Sequence, residues 1–261
     1  MTYIRPPAVA GMFYPDNPEI LRRDVLSYLH AAHSQGPTPK ALIAPHAGYI
    51  YSGPVAASAY HLAEPLRNTI ERVVLLGPSH RVPFHGLAVS NADAFRTPLG
   101  DVPLDRASID ALLALPQVSA LDAAHAQEHS LEVHLPFLQV ILGRFTLLPL
   151  VVGQATAGEV DEVLARVWGG DETLIVISSD LSHYHDYTTA RRMDRNTSDH
   201  IEALQGEALD YEDACGRDPV RGLLHLAARR GLKATTVDLR NSGDTAGPRD
   251  RVVGYGAYVL S

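Results

Sequence analysis

Several features are scarce or missing in this sequence of 261 residues. It contains one cysteine, Cys215, so no intramolecular disulfide can form and a metal site made of several thiolates is excluded. We therefore expect any metal to be held by nitrogen and oxygen ligands. No stretch approaches the roughly 18 uninterrupted apolar residues of a membrane-spanning helix, and no apolar leader follows Met1. These absences predict a soluble, cytoplasmic protein with no membrane partner.

Positive charge is also scarce, with 22 lysine and arginine residues against 30 aspartate and glutamate residues and a net charge of −8. A nucleic-acid partner usually requires a basic face, so this balance argues against nucleic acid and favours a small-molecule substrate or a peptide. Hydrophobic residues make up 46% of the chain, enough for a substantial core. Strand and helix patterns alternate without a break in composition and predict one α/β domain over residues 1–261, with a loop at 92–102.

Several of the histidines lie where predicted strands end. Four apolar runs, at residues 41–46, 73–80, 174–183 and 235–244, lead to His46, His80, His183 and Asp244. In an open α/β sheet the ligand crevice lies outside the carboxyl ends of the strands, so these side chains are expected to converge. The pattern predicts a metal site.

His46, His80 and Asp244 are the candidate metal ligands. A single histidine after a strand is more often structural, but two on separate strands fit a metal, because imidazole is the commonest ligand of first-row metals. With Asp244 they would form the two-histidine, one-carboxylate set typical of non-heme Fe(II), and the same ligands bind zinc or manganese. An Asx-turn is the alternative for Asp244, since its neighbours are typical turn residues.

Two polar clusters supply candidate catalytic residues. Residues 178–186 follow an apolar strand, where such polarity is costly unless the groups meet each other or a ligand. We interpret His183 as a general acid or base and Asp180 as the group that orients it. In residues 128–134, His129 belongs either to the site or to a polar helix start with capping carboxylates. The two histidines there are five residues apart, which does not match the i, i+4 pair of zinc metallopeptidases.

Five segments resemble the motifs of the Memo family, in the same order along the chain. Their sequences are Arg5-Pro-Pro-Ala-Val-Ala-Gly-Met-Phe-Tyr-Pro15, Ala44-Pro-His-Ala-Gly-Tyr-Ile-Tyr-Ser-Gly53, Leu76-Gly-Pro-Ser-His80, Glu128-His-Ser-Leu-Glu-Val-His-Leu-Pro136 and Ser178-Ser-Asp-Leu-Ser-His183. Together the five motifs are highly specific, and they span most of the chain.

The resemblance implies a central mixed β-sheet flanked by helices, similar to class III extradiol dioxygenases of the LigB type. It also implies a pocket built from His46, His80 and His183, with a fourth position that a cysteine occupies in the animal Memo protein. We align that position with residues 241–244, where Asp244, or Thr245 as its rival, stands in place of the cysteine. A carboxylate there favours Fe(II) over thiol-dependent copper or redox chemistry, with zinc and copper as the other metals.

Three functional classes follow from these expectations. The first is a mononuclear non-heme iron oxidoreductase, similar to the dioxygenases, in which His129 orients substrate or dioxygen. The second is a binding or adaptor protein that retains the pocket without turnover, and the third is a zinc-dependent hydrolase. Bacterial and archaeal members are called AmmeMemoRadiSam system protein B, a name that implies a radical SAM protein and an AMMECR1-like protein as partners.

Overall fold

The computed structural model describes residues 2–261, in which strands and helices alternate along the chain. The strands are β1 (Ile4–Arg5), β2 (Ala41–Ala44), β3 (Arg72–Pro78), β4 (Leu87–Val89), β5 (Ala94–Thr97), β6 (Gly100–Pro103), β7 (Val118–Ala120), β8 (Thr146–Val152), β9 (Thr173–Ser178), β10 (His183–His185), β11 (Ala234–Asn241) and β12 (Val252–Leu260). The helices are α1 (Pro18–Ala31), α2 (Tyr49–Ala63), α3 (Arg106–Leu112), α4 (Asp122–Ala126), α5 (Leu135–Leu142), α6 (Ala157–Val167), α7 (Tyr187–Glu202), α8 (Arg217–Arg230) and α9 (Ser242–Thr245).

A large mixed sheet forms the centre of the molecule, with the strand order β10-β12-β2-β9-β3-β8-β4-β7 and with β11 beside β12. Its four central strands, β2, β9, β3 and β8, run parallel. They are almost wholly apolar and buried, as expected for parallel strands that helices cover on both faces. Helices α1, α2 and α5 pack together in one layer, whereas α3, α6 and α8 form the other.

The outer strands make the sheet mixed. Strand β12 runs antiparallel to β2, β10 and β11, and β4 runs antiparallel to β8. The predicted fold class, a mixed α/β sheet flanked by helices, is confirmed. No helix among residues 2–261 combines the length and the apolar character needed to cross a lipid bilayer.

A second, three-stranded sheet lies where a loop was expected. Residues 92–102 contain β5 and the start of β6, which pair as a hairpin with β1 alongside β5. The chain reverses between Thr97 and Gly100, which face each other across the hairpin. Pro98 and Gly100 are typical turn residues, so the sequence pattern indicated a loop where Thr97 ends one short strand and Gly100 begins the next.

The N-terminal segment is tied to the region of the strand ends by one buried carboxylate. Glu132 is fully buried and accepts hydrogen bonds from the Arg5 guanidinium (2.7 Å), the Ala8 and Val9 amides (2.7 and 3.0 Å) and the Tyr14 hydroxyl (2.6 Å). A buried charge needs such partners, because burial without them is strongly unfavourable. This network places Phe13 beside the ring of His129, with 4.7 Å between ring centroids.

Candidate metal centre

A cavity of about 780 Å³ opens at the carboxyl edge of the parallel strands. His46 follows β2, His80 follows β3 and Asp180 follows β9, and all three line it. His129 and His183 line the same cavity. The cavity therefore brings together the four histidines that the sequence singled out.

His46 presents one ring nitrogen to the cavity and uses the other for support. Its Nδ1 lies 2.6 Å from Ser178 Oγ, and that hydroxyl donates its own proton to the Ser130 carbonyl. Ser178 Oγ is therefore the acceptor of the Nδ1–H, which leaves Nε2 as the unprotonated nitrogen, with its lone pair toward the cavity. The backbone amide of His46 also donates to Asp180 Oδ1 at 2.7 Å. This neutral, fixed imidazole is the form that binds a metal.

His80 is held in the same way by Glu128. Its Nδ1–H donates to Glu128 Oε1 at 2.9 Å and its backbone amide donates to Oε2 at 2.6 Å. The amides of His129 and Ser130 also donate to this carboxylate. Burial raises the pKa of Glu128, but the hydrogen bonds and charge interaction from His80 outweigh it and bring the pKa to about 2. An ionised carboxylate behind a histidine fixes the ring and makes it a stronger ligand.

Cys215 is the residue that the sequence interpretation missed. Its Sγ lies 3.3 Å from His46 Nε2, and Sγ and one ring nitrogen each of His46 and His80 lie within 4.8 Å of one another. The expectation of nitrogen and oxygen ligands alone did not include this sulfur atom, which lies among the donor atoms at the cavity. The lone cysteine, followed by glycine, was the available signal: a Cβ at Gly216 would clash with the Ser178 carbonyl, so glycine lets this loop reach β9.

Asp244 does not lie in the cavity. Its Oδ1 accepts from the Tyr187 hydroxyl at 2.6 Å, and its Oδ2 accepts from the Asn241 amide at 3.1 Å in a capping box that starts α9. The capping bond turns the carboxylate toward its own backbone, away from His46 and His80. Thr245 donates to the Ser242 carbonyl and does not line the cavity either. Of the proposed fourth-position residues, the structure therefore brings neither to the histidines.

His129 lies against both candidate histidine ligands. Its ring stacks on His80 with 4.6 Å between centroids and meets His46 edge-on at 5.4 Å. Burial and the neighbouring His80 lower the pKa of His129 to about 4, so the ring is neutral at pH 7. His80, Glu128 and His129 also form a second set of donor atoms within 4.8 Å, which shares His80 with the first.

Asp180 and His183 are both at the cavity, but not as a pair. Among residues 2–261, no hydrogen bond joins them, and the Asp180 carboxylate instead holds the amide of His46. Burial raises the pKa of Asp180 to about 7 and lowers that of His183. The expectation that Asp180 orients His183 is therefore corrected: Asp180 orients the loop that carries His46.

Aromatic side chains form much of the remaining wall. The guanidinium of Arg251 covers the Tyr184 ring at 4.8 Å, and Tyr184 adopts a left-handed backbone conformation, with φ of 65°, within β10. A cavity of this size and character can enclose a small organic ligand beside the histidines. The aromatic residues on its wall are Phe13, Tyr51, Tyr184, Tyr211 and Tyr255.

The fold and the site together define a mixed α/β protein with a histidine-rich pocket at the carboxyl edge of its sheet. The chain belongs to the Memo family: the family model described as Memo-like protein matches residues 5–259. The resemblance found in the five motifs is thus confirmed.

Curated relatives match over nearly their whole length. A MEMO1 family protein of Aquifex aeolicus is 38% identical, and one of Sulfolobus acidocaldarius is 34% identical, with 97% of each chain covered in both cases. The crystal structure of the uncharacterized protein JW3007 from Escherichia coli K12 has a TM-score of 0.50 at 12% identity, covering 82% of this chain and 98% of that one. At that identity the likeness shows the fold alone.

Proposed function

We propose that this protein is an oxidoreductase that binds one redox-active metal ion through His46, His80 and Cys215. The observation that carries the proposal is the convergence of two imidazole nitrogens and one thiol within 4.8 Å. The donor set fits a metal because Nδ1 of both histidines is already engaged, by Ser178 and Glu128. Such partners are typical of histidines that ligate metals.

Fe(II) is the proposed metal, and copper and zinc are the alternatives. The Cys215 thiol raises the expected affinity for copper and zinc relative to that for iron. Imidazole binds all three ions, whereas a thiolate favours zinc and copper more than a carboxylate does. A bound iron or copper ion would supply electron transfer and activation of a substrate or of dioxygen, which protein side chains cannot supply alone. The free Cys215 thiol has a pKa raised by burial, so metal binding at neutral pH would displace its proton.

The remaining pocket residues are proposed to transfer protons and to position the substrate. His183 is neutral at pH 7 because burial lowers its pKa, so it can accept a proton from a substrate hydroxyl. His129 is neutral for the same reason and orients the bound molecule. The aromatic wall excludes water and packs on an organic substrate, which is a small molecule in this proposal.

Elemental analysis of protein purified without oxygen or chelator tests the ligand set. We expect near-stoichiometric metal in the wild type and a metal content lower by about 10-fold or more in His46→Ala and Cys215→Ser, since each removes a ligand. Asp244→Asn is the matched control and should retain the metal, because Asp244 bonds to Tyr187 and Asn241 instead. Equal metal content in all four proteins would refute the assignment.

The identity of the metal separates the functional classes. Iron or copper that is lost in Cys215→Ser supports the oxidoreductase, and an oxygen-uptake screen with a panel of catechols then tests dioxygenase activity. Zinc in the same position would favour a hydrolase. A wild-type protein that takes up no metal after reconstitution would favour a binding or adaptor protein.

A further inference from the structure

A second cavity, of about 340 Å³, lies on the other side of α9 from the candidate metal centre. Four arginines line it: Arg191, Arg192 and Arg195 from α7, and Arg240 from β11. Helix α9 separates the two cavities, since its Ser242 lines the metal cavity while Asp244 lines this one. Four arginines around one concave surface contrast with the net charge of −8 of the whole chain.

The three arginines of α7 have no carboxylate partner. Among residues 2–261, no acidic oxygen lies within 4.0 Å of the guanidinium groups of Arg191, Arg192 and Arg195. Two of the four cavity arginines are nevertheless held in position. Arg191 lies over the Tyr187 ring at 5.6 Å, and Arg240 bonds to Asp238 through Nε (3.0 Å) and a second guanidinium nitrogen.

Two carboxylates, Asp194 and Asp244, also line the wall, but neither forms an ion pair with the arginines of α7. Asp194 is buried and accepts from the Ser182 amide at 3.0 Å. Asp244 accepts hydrogen bonds from the Tyr187 hydroxyl and from the Asn241 amide. A guanidinium nitrogen of Arg249 lies 3.9 Å from its Oδ1. The guanidinium groups of Arg191, Arg192 and Arg195 are exposed to solvent and have no carboxylate partner among residues 2–261, so a bound anion can reach them.

The spacing on α7 brings the three positive charges close together. Arg191 and Arg195 are four residues apart, and Arg192 and Arg195 are three apart, so all three lie on neighbouring parts of one helix surface. Like charges at these spacings destabilise a helix. An anion held between them would turn the repulsion into attraction.

We propose that this cavity is a binding site for a small molecule that carries a phosphate group. The guanidinium fork matches phosphate oxygens in a bidentate arrangement, and several forks around one cavity suit a dianion or trianion. The volume is near the lower end of ligand cavities, so the ligand is a small phosphorylated metabolite rather than a large nucleotide.

Calorimetric titration at low ionic strength tests the site, with inorganic phosphate, pyrophosphate and a phosphate monoester as separate probes. We expect saturable binding to the wild type, and binding at least 10-fold weaker in Arg192→Gln and Arg195→Gln, since each removes a charge-assisted hydrogen bond. Arg195→Lys should give intermediate affinity because it keeps the charge and loses the fork. The probe that binds with the highest affinity identifies the form of phosphate that the site prefers.

Two control variants distinguish this site from unspecific attraction to surface arginines and from anion binding in the metal cavity. Arg166→Gln removes an exposed helical arginine from α6 and should leave binding unchanged. His46→Ala should also leave it unchanged, whereas a loss there would assign the anion to the metal cavity. Equal weakening by Arg166→Gln and Arg195→Gln, or no saturable binding of any probe, would overturn the proposal. Circular dichroism of each variant establishes that it is folded.

Discussion

Two buried glutamates four residues apart serve different parts of the molecule. Glu132 bonds to Arg5 and Tyr14 and so holds the N-terminal segment, whereas Glu128 bonds to His80 at the pocket. Breaking a buried ion pair such as that of Glu132 typically costs about 3–5 kcal/mol of stability. The motif that contains both residues therefore combines a scaffold function with a site function, and a sequence pattern alone does not separate them.

Glu128→Gln should weaken metal binding with much less effect on the fold. The amide removes the negative charge behind His80 and leaves one acceptor oxygen where the carboxylate has two. Loss of such a partner typically lowers metal affinity by about 10- to 100-fold. Competition with a chelator of known affinity measures this, and Glu162→Gln, an exposed carboxylate on α6, is the control. Unchanged affinity in Glu128→Gln would contradict the role assigned to this carboxylate.

At the scale of elements, the parallel strands explain which site residues the sequence could predict. His46 and His80 directly follow apolar strands, and parallel strands end at one edge, so their meeting followed from local pattern. Cys215 precedes α8 in a loop whose path depends on long-range packing. No periodic pattern in the sequence therefore predicted that Cys215 lies at the site. Asp244 also follows a strand, but a local capping bond redirects its side chain.

The helices and strands also divide into those that local sequence pattern predicted and those that it did not. The long strands were predictable as uninterrupted apolar runs, and the amphipathic helices were predictable because their periodicity is strong. The hairpin of β5 and β6 was not, because each strand has only four residues, Pro98 lies between them and Gly100 begins β6. Parallel and antiparallel neighbours could not be distinguished, since strand pairing is decided by contacts distant in sequence. The mixed sheet followed from the family resemblance.

His125 on α4 should make the stability of the fold depend on pH. Its Nε2–H donates to the Ala88 carbonyl at 2.9 Å, and burial lowers its pKa from 6.5 to about 4. Because the unfolded chain binds the proton at higher pH than the folded chain, the stabilising contribution is complete above pH 6.5 and is lost as the pH falls from 6.5 to about 4.

His125→Gln tests this dependence, because glutamine keeps a donor for Ala88 and does not titrate. The difference in unfolding free energy between wild type and variant should shrink by roughly 1 kcal/mol per pH unit between about pH 6.5 and about pH 4. Urea unfolding at a series of pH values provides both curves. Parallel curves would mean that His125 is not the titrating group.

At the scale of the whole molecule, the hydrophobic core that supports the candidate metal site does not depend on that site. The buried core runs continuously from the helices of one layer through the sheet to those of the other. The candidate ligands lie beyond the strand ends, at the border of this core. A protein whose core is complete without the metal differs from a small metal domain, in which the ion supplies the folding energy.

Removal of metal should therefore leave the fold intact and change only its stability. We expect the chelated protein to keep its far-UV circular dichroism and a cooperative thermal transition. Adding back the metal at about 100 times its Kd should raise the unfolding free energy by about 2.7 kcal/mol, or roughly 5–10 °C in Tm. Cys215→Ser should lose most of this increase while unfolding cooperatively, because it lacks one ligand and retains the core. An unfolded chelated protein would show instead that the metal is part of the scaffold, and an equal increase in Cys215→Ser would place the metal elsewhere.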